Sequence, residues 1–308
     1  MDLTAIVTLI VFLITIGLII WGRYDRTVIG LIGEVIMVIL GTMTESQAFM
    51  SVDWNVIAIL FSIWIIASYF SQTGVPQYLA ITMLKLSRNN IGVFLSLVGV
   101  IAGFVSMFVD NVVVILMFAP VIFHVTKKLK LSSFPFLIFV GLCANFMGTA
   151  MLLGDLPPQM LNSVSGIEFN QFIWQMGKPS SFPLLTISYL GTVAFMYQFK
   201  FRKMFSPADA ATATMIAEEK PTAYLKKGSF VAVVLGLFLA TIVAMSFRQV
   251  IGHYLGFIAL TGMVILVIVN EVFIKKLEGP TFEDVLKELD WKALLFYVLL
   301  FILVGGLN

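Results

Sequence analysis

Charge is scarce in this chain. Asp, Glu, Lys and Arg make up 12% of its 308 residues and hydrophobic residues 60%, where soluble domains carry about a quarter charged residues. With a mean hydropathy of +1.02, this excludes a soluble globular domain and places the chain in a bilayer. Length then counts spans rather than domains. A net charge of only +2, with no basic face interleaved with aromatics, excludes a nucleic-acid partner. The single cysteine, Cys143, lies in an apolar run and cannot form an internal disulfide; it reads as a small buried filler. The two histidines, His124 and His253, are far apart, each near the end of an apolar run. No His/Cys/carboxylate cluster has zinc-like spacing, so neither a metal centre nor another cofactor is expected. The N-terminus also lacks a positive n-region and a small-residue cleavage site. It carries Asp2 and reads as a retained first span rather than a signal peptide.

What the chain does have is apolar runs. A crossing needs about 20 such residues. Candidates lie at 3–21, 27–41, 54–70, 91–109, 112–126, 134–160 with an interruption, 181–198, 229–247, 254–273 and 291–307. The run 112–126 is short for a full crossing. If Met1 faces outside and 91–126 is a hairpin entering and leaving on one side, every basic residue but Lys178 and Arg248 falls on the inner face, as the positive-inside bias requires. Two full spans would have the same parity; the short second arm favours re-entry. The polar, small-residue-rich stretch 199–228 reads as an inner linker with a short surface helix. The expected organisation is N-terminal spans over 1–52, a first repeat over 53–198, the linker 199–228, connecting spans over 229–289 and the start of a second repeat over 290–308.

Three ionisable residues fall inside the runs, and such residues point to function by default. Asp110 and Asn111 sit between the arms of the hairpin, with Ser106 one turn earlier. A hairpin tip exposes helix-end N–H and C=O groups that can contact an ion. The alternative is an Asp-Asn cap at a watery turn. Asp155 lies in "MGTAMLLGDLPPQM", residues 147–160. Gly148 and Gly154 free the backbone, and Pro157 with Pro158 stops a helix. Broken backbone at membrane depth must be buried in protein or line a watery cavity. A break over 148–158, with the helix resuming after the prolines, is expected, and Asn145, Thr149 and Gln159 supply polar groups around it. The alternative is an outer loop beginning at Gly154. Glu34 either lines a cavity or bonds to a neighbouring helix.

"DWNVIAILFSIWIIASYFSQTG" from Asp53 and "DWKALLFYVLLFILVGGLN" from Asp290 open alike, and the charge count gives them opposite polarity. Opposed copies are the plan of inverted-repeat transporters. With the second copy barely begun, a truncated or split transporter is expected. The hairpin "SMFVDNVVVILMFAPV", the break "NFMGTAMLLGDLPPQM" and the second opening "LFYVLLFILVGGL" resemble the ion transporter superfamily, in the branch of arsenite permeases, NhaD-type sodium/proton antiporters and the P protein, with citrate and dicarboxylate carriers as more distant relatives. The resemblance runs from Val28 to Asn308.

The fold it implies is an all-α polytopic membrane protein, an inverted-repeat transporter with a re-entrant hairpin and a broken helix, and a truncated second repeat. The activity it implies is secondary transport of an arsenite-like or carboxylate anion, or Na+/H+ exchange, in the cell membrane. The mechanism it implies is elevator motion against scaffold spans around 54–70 and 229–273, in a homodimer or with a second half-transporter chain. Its site would comprise Ser106, Asp110, Asn111, Asn145, Gly148, Thr149, Gly154, Asp155 and Gln159. The chain departs from the family pattern at Met147, Met151, Leu156, Gln159 and, in the hairpin, Val113 and Val114. Two hydroxyls are lost, so proton coupling stands beside Na+ coupling. No clustered arginines mark a carboxylate clamp, which disfavours citrate, although helix N-termini bind anions without arginine. A non-transporting subunit is an alternative. An intramembrane aspartyl protease is a remote one, since residue 152 is Leu, no Tyr precedes Asp110 and no Pro-Ala-Leu motif follows.

Overall fold

A computed structural model describes residues 3–88, 90–204, 220–273 and 277–307. Much of the expected linker, with Lys275 and Lys276, lies outside the described residues. The fold is all-α and polytopic. Helices α1 (Leu3–Trp21), α2 (Arg26–Ile39), α3 (Glu45–Ser51), α4 (Trp54–Gln72), α5 (Val75–Leu86), α6 (Ile91–Ser106), α7 (Asn111–Lys128), α8 (Phe134–Gly148), α9 (Leu156–Ser165), α10 (Ser181–Met196), α11 (Gly228–Ser246), α12 (Leu255–Val272), α13 (Phe282–Glu288) and α14 (Trp291–Gly305) follow in order. The expected runs each carry a helix. Among the described residues, five stretches are long and apolar enough to cross a membrane: Thr4–Trp21, Trp54–Gln72, Ser181–Phe201, Gly228–Ser246 and Leu255–Val272.

Two compact units emerge, Met1–Phe61 with Leu289–Asn308, and Ser62–Glu288. In the first, α2 packs on α1 and α14, and α3 on α14. Gly30 and Gly33 make this possible, because a Cβ at Gly30 would lie 3.3 Å from Leu299 and one at Gly33 2.5 Å from Thr15 Oγ1. Asp25 caps α2 by accepting from Thr27 N and Val28 N, and Lys292 Nζ donates to it over 3.0 Å. The Asp-Trp openings share a local structure. Asp53 accepts from Asn55 N and Val56 N at the head of α4, and Asp290 from Ala293 N at the head of α14. In both, the aspartate satisfies N–H groups that a helix start leaves over.

In the second unit, α6 and α7 form the expected hairpin, and α8 packs on both. The α6–α8 contact rests on a small-xxx-small pair, Gly99 and Gly103, which lets backbones approach. A Cβ at Gly99 would meet Cys143 at 3.0 Å, and one at Gly103 would meet Met147 at 3.0 Å. Tyr189 of α10 closes the cluster by donating to Gly99 O over 2.5 Å.

Three features differ from expectation. The second hairpin arm is the longer, 18 residues against 16, because α7 runs on through Pro120 to Lys128; both arms remain short of about 20 residues. The helix after the break resumes at Leu156, before the prolines rather than after them. Proline in the first turn gives up an N–H that has no helical partner anyway, so it starts α9 instead of delaying it. Finally, α3, α5, α13 and a small hairpin, β1 (Trp174–Gln175) with β2 (Lys178–Pro179), go unseen among the apolar runs. The end of the linker is docked: Lys226 N donates to Thr73 O over 3.0 Å, and Gly74 lies against Tyr224 O.

Candidate functional site

The stripe that joins α6 to α8 also builds the site. Continuing past Gly99 and Gly103 it reaches Ser106, the last residue of α6, which meets the end of α8 and the break. A Cβ at Gly148 would lie 3.2 Å from Ser106 Oγ, 3.5 Å from Gly154 O and 3.6 Å from Asp155 Cβ. A Cβ at Gly154 would press on the carbonyl oxygens of Ser106 and Gly148 and sit 2.9 Å from Gly148 Cα. Two glycines are needed here because three backbone segments converge.

The chain turns over 107–109, and α7 starts at Asn111 with Asp110 as its cap, accepting from Val112 N over 2.9 Å. On the other side α8 ends at Gly148, the chain turns over 149–155, and Asp155 caps α9 by accepting from Leu156 N over 2.8 Å. Asn111 joins the two halves: its Nδ2 donates to Asn145 Oδ1 over 3.0 Å and to Asp155 Oδ2 over 3.2 Å. Both aspartates are thus helix caps, and neither stands in open water. Asp110 is buried and Asp155 half-buried. Capping does not exclude ion contact, because a carboxylate oxygen that accepts one N–H keeps a second lone pair.

Two helix C-termini (α6 and α8) and two helix N-termini (α7 and α9) therefore meet around one point. C-terminal carbonyls favour cations and N-terminal amides favour anions. Two side-chain atoms there have no hydrogen-bond partner among the described residues: Ser106 Oγ, on a fully buried residue, and Gln159 Oε1, on a residue 1% exposed. Gln159 Nε2 reaches Leu153 O at 3.5 Å. Thr149 is set slightly apart; its hydroxyl donates to Phe146 O over 2.9 Å. It lines a cavity of about 270 Å³ with Pro157, Phe172 and Ser181.

The structure thus brings together Ser106, Asp110, Asn111, Asn145, Gly148, Gly154 and Asp155, with Gln159 beneath the break and Thr149 at the adjoining cavity. Of the departing residues, Met147 packs on Gly103, and Met147, Met151 and Leu156 are buried. The sequence reading missed Ser181. Its hydroxyl donates to Ala150 O over 3.1 Å and reaches Phe172 O at 3.3 Å, bracing the break from the head of α10. A serine opening a helix carries no signal beyond capping. Glu34 lies on α2, in the first unit, away from this group in the chain. Among the described residues no cluster of three His, Cys, Asp or Glu is arranged to hold a metal ion.

A helical hairpin set against an interrupted helix, in a chain with several spanning helices, defines a multi-pass membrane transporter. The family described as Citrate transporter matches residues 16–308, and the chain belongs to that family. It is 29% identical over 309 residues to an uncharacterized transporter of Mycobacterium tuberculosis strain H37Rv, covering 98% of this chain and 68% of that protein. It is 30% identical over 189 residues to the P protein of Sus scrofa, covering 60% of this chain and 21% of that one. It is 26% identical over 211 residues to the magnetosome protein MamN of Magnetospirillum gryphiswaldense, covering 67% and 47%.

Proposed function

We propose that the chain carries the ion site of a secondary active transporter in the cell membrane, with its N-terminus outside. It moves a small carboxylate or arsenite-like oxyanion with a coupling cation, H+ or Na+, or exchanges the two cations. The observation that carries this reading is the Asn111 amide bridging Asn145 and Asp155, which locks the hairpin to the break. The named side chains include two carboxylates, two asparagines and no base. An anion held there needs either a neutralising cation or the N-terminal ends of α7 and α9. The C-terminal carbonyls of α6 and α8, with Ser106 Oγ and Gln159 Oε1, supply oxygens of the kind a cation takes. The family's name makes citrate the first candidate substrate, and the resemblance to arsenite permeases makes arsenite the second.

Because the hairpin and the break are bound to each other, they would move as one body, which supports an elevator over independent gating. The test is uptake of citrate or arsenite into liposomes under an imposed H+ or Na+ gradient. Gradient-driven uptake by wild type, lost in both Asp110→Asn and Asp155→Asn with insertion unchanged, is the expected result. Full activity in both variants overturns the site.

A further inference from the structure

The first unit holds a feature that the transport reading does not use. Between α1 and α2 runs an apolar groove of about 450 Å³, lined by Val11, Ile14, Val28, Ile32 and Gly33 and ending at Tyr24. Its walls face outward: Ile14 is 58% and Ile32 54% exposed. Gly33 opens the floor, where a wider residue would collide with Thr15.

The lining residue Tyr24 sits in a basic stretch of the chain. Arg23 and Arg26 flank Tyr24 and are exposed. Neither forms an ion pair with a carboxylate among the described residues. The Arg23 guanidinium lies 5.6 Å over the Trp21 ring, and that of Arg26 lies 4.9 Å over the Phe296 ring. The nearby acid, Asp25, is already paired with Lys292 over 3.0 Å. Stacking holds the two guanidinium groups in place without neutralising them. Trp21 and Tyr24 mark this end of α1 as the membrane–water boundary.

We propose that this groove binds one anionic phospholipid, an acyl chain lying between α1 and α2 and the phosphate held by Arg23 and Arg26. The groove matches a chain in chemistry, and its length along α1 leads from the hydrocarbon to the basic stretch at Tyr24. Arginine forks suit phosphate oxygens, and basic pockets between spans are where anionic headgroups settle. A zwitterionic lipid would fill the groove but leave the charge of Arg23 and Arg26 unmatched.

The test uses the full chain, purified in mild detergent from membranes containing phosphatidylglycerol and phosphatidylethanolamine. Bound lipid is counted by native mass spectrometry through graded delipidation. One phosphatidylglycerol per chain should outlast all phosphatidylethanolamine. In Arg23→Gln/Arg26→Gln its retention should fall about thirtyfold, near fivefold per charge. Arg23→Lys/Arg26→Lys gives up the fork and the planar stacking but keeps the charge, and should hold the lipid better than the glutamine pair and less well than wild type, which separates headgroup binding from loss of fold. Ile14→Phe/Ile32→Phe, which fills the groove and leaves the arginines, should also lose it. Equal retention of the two lipids, or wild-type retention in the glutamine or the phenylalanine variant, overturns the proposal. So does a disulfide between two copies carrying Ile14→Cys with Cys143→Ala, because a second chain would then occupy the groove.

Discussion

Asn111→Ala tests the site most directly. The substitution removes the only donor that the bridge uses, leaving Asn145 Oδ1 and Asp155 Oδ2 to find other partners. The bond to Asn145 is neutral and ends on an exposed residue, so about 0.5–1 kcal/mol is its share. The bond to Asp155 ends on a carboxylate, and such bonds contribute about 1.5–3 kcal/mol. Asp155 is only half-buried, so the lower end applies and the total is about 2 kcal/mol. Asp110 still caps α7, because that bond runs to Val112 N, so the hairpin keeps its fold. The assay is a double-mutant cycle of Asn111→Ala with Asp155→Asn, read by thermal unfolding in nanodiscs and by liposome uptake. Each single variant should lose stability and at least tenfold in transport, and the pair should lose far less than the sum. Additive losses, or wild-type transport in Asn111→Ala, refute the idea that this amide couples the two halves.

Two further outcomes follow from neighbouring geometry. Gly154→Ala inserts a methyl against two carbonyls and Gly148 Cα, none of which is the flexible end of a side chain; a loss of about 1–3 kcal/mol is expected by thermal unfolding, with Gly191→Ala, inside α10 where a Cβ meets nothing within 4 Å, as the clash-free control that should lose no stability. At the head of α2, the Lys292 ammonium and then the Thr27 and Val28 N–H groups hold the exposed Asp25 carboxyl below its ordinary 3.8. A depressed folded value means that its stabilising share is whole above 3.8 and drains away as pH falls through the lowered value. Wild type and Asp25→Asn should therefore differ in melting temperature at neutral pH and converge below 3.8; a gap that ignores pH contradicts the pairing.

The spans were legible because a bilayer imposes a length and a polarity that no local detail can mask. Asp110, Asn111, Asn145 and Asp155 were legible for the converse reason: polar residues are rare in such runs. Contact geometry was not. Gly99 and Gly103 stand in plain view, but only the fold shows that they draw α6 onto Cys143 and Met147 and so aim Ser106 at Gly148. The 12-residue helix α5 is too short to announce itself as a span, and its start at Gly74 and Pro76 reads equally as a turn. The β1–β2 turn uses Met176, φ 49°, before Gly177, where an Asn-Gly pair would have signalled it. The prolines of α9 misled because their effect depends on register: inside a helix they break it, and two and three residues after the cap Asp155 they fit its first turn.

Gln159 separates a structural from a functional reading of the same cluster. Its side chain is 1% exposed, its Oε1 accepts no hydrogen bond among the described residues, and its Nε2 makes only a 3.5 Å contact. A buried acceptor left unsatisfied costs about 1–3 kcal/mol. A residue that serves packing alone would gain from becoming apolar at similar size. Gln159→Met should therefore raise the melting temperature of the ligand-free protein. If Oε1 is reserved for the transported species or its coupling ion, the same variant should lose transport, and the stabilisation that substrate or Na+ gives wild type should vanish. Gln159→Glu keeps the oxygen and should retain part of the ion response. A Gln159→Met protein that is both more stable and fully active would remove this residue from the site and leave Ser106 Oγ as the remaining orphan that points to a bound ion.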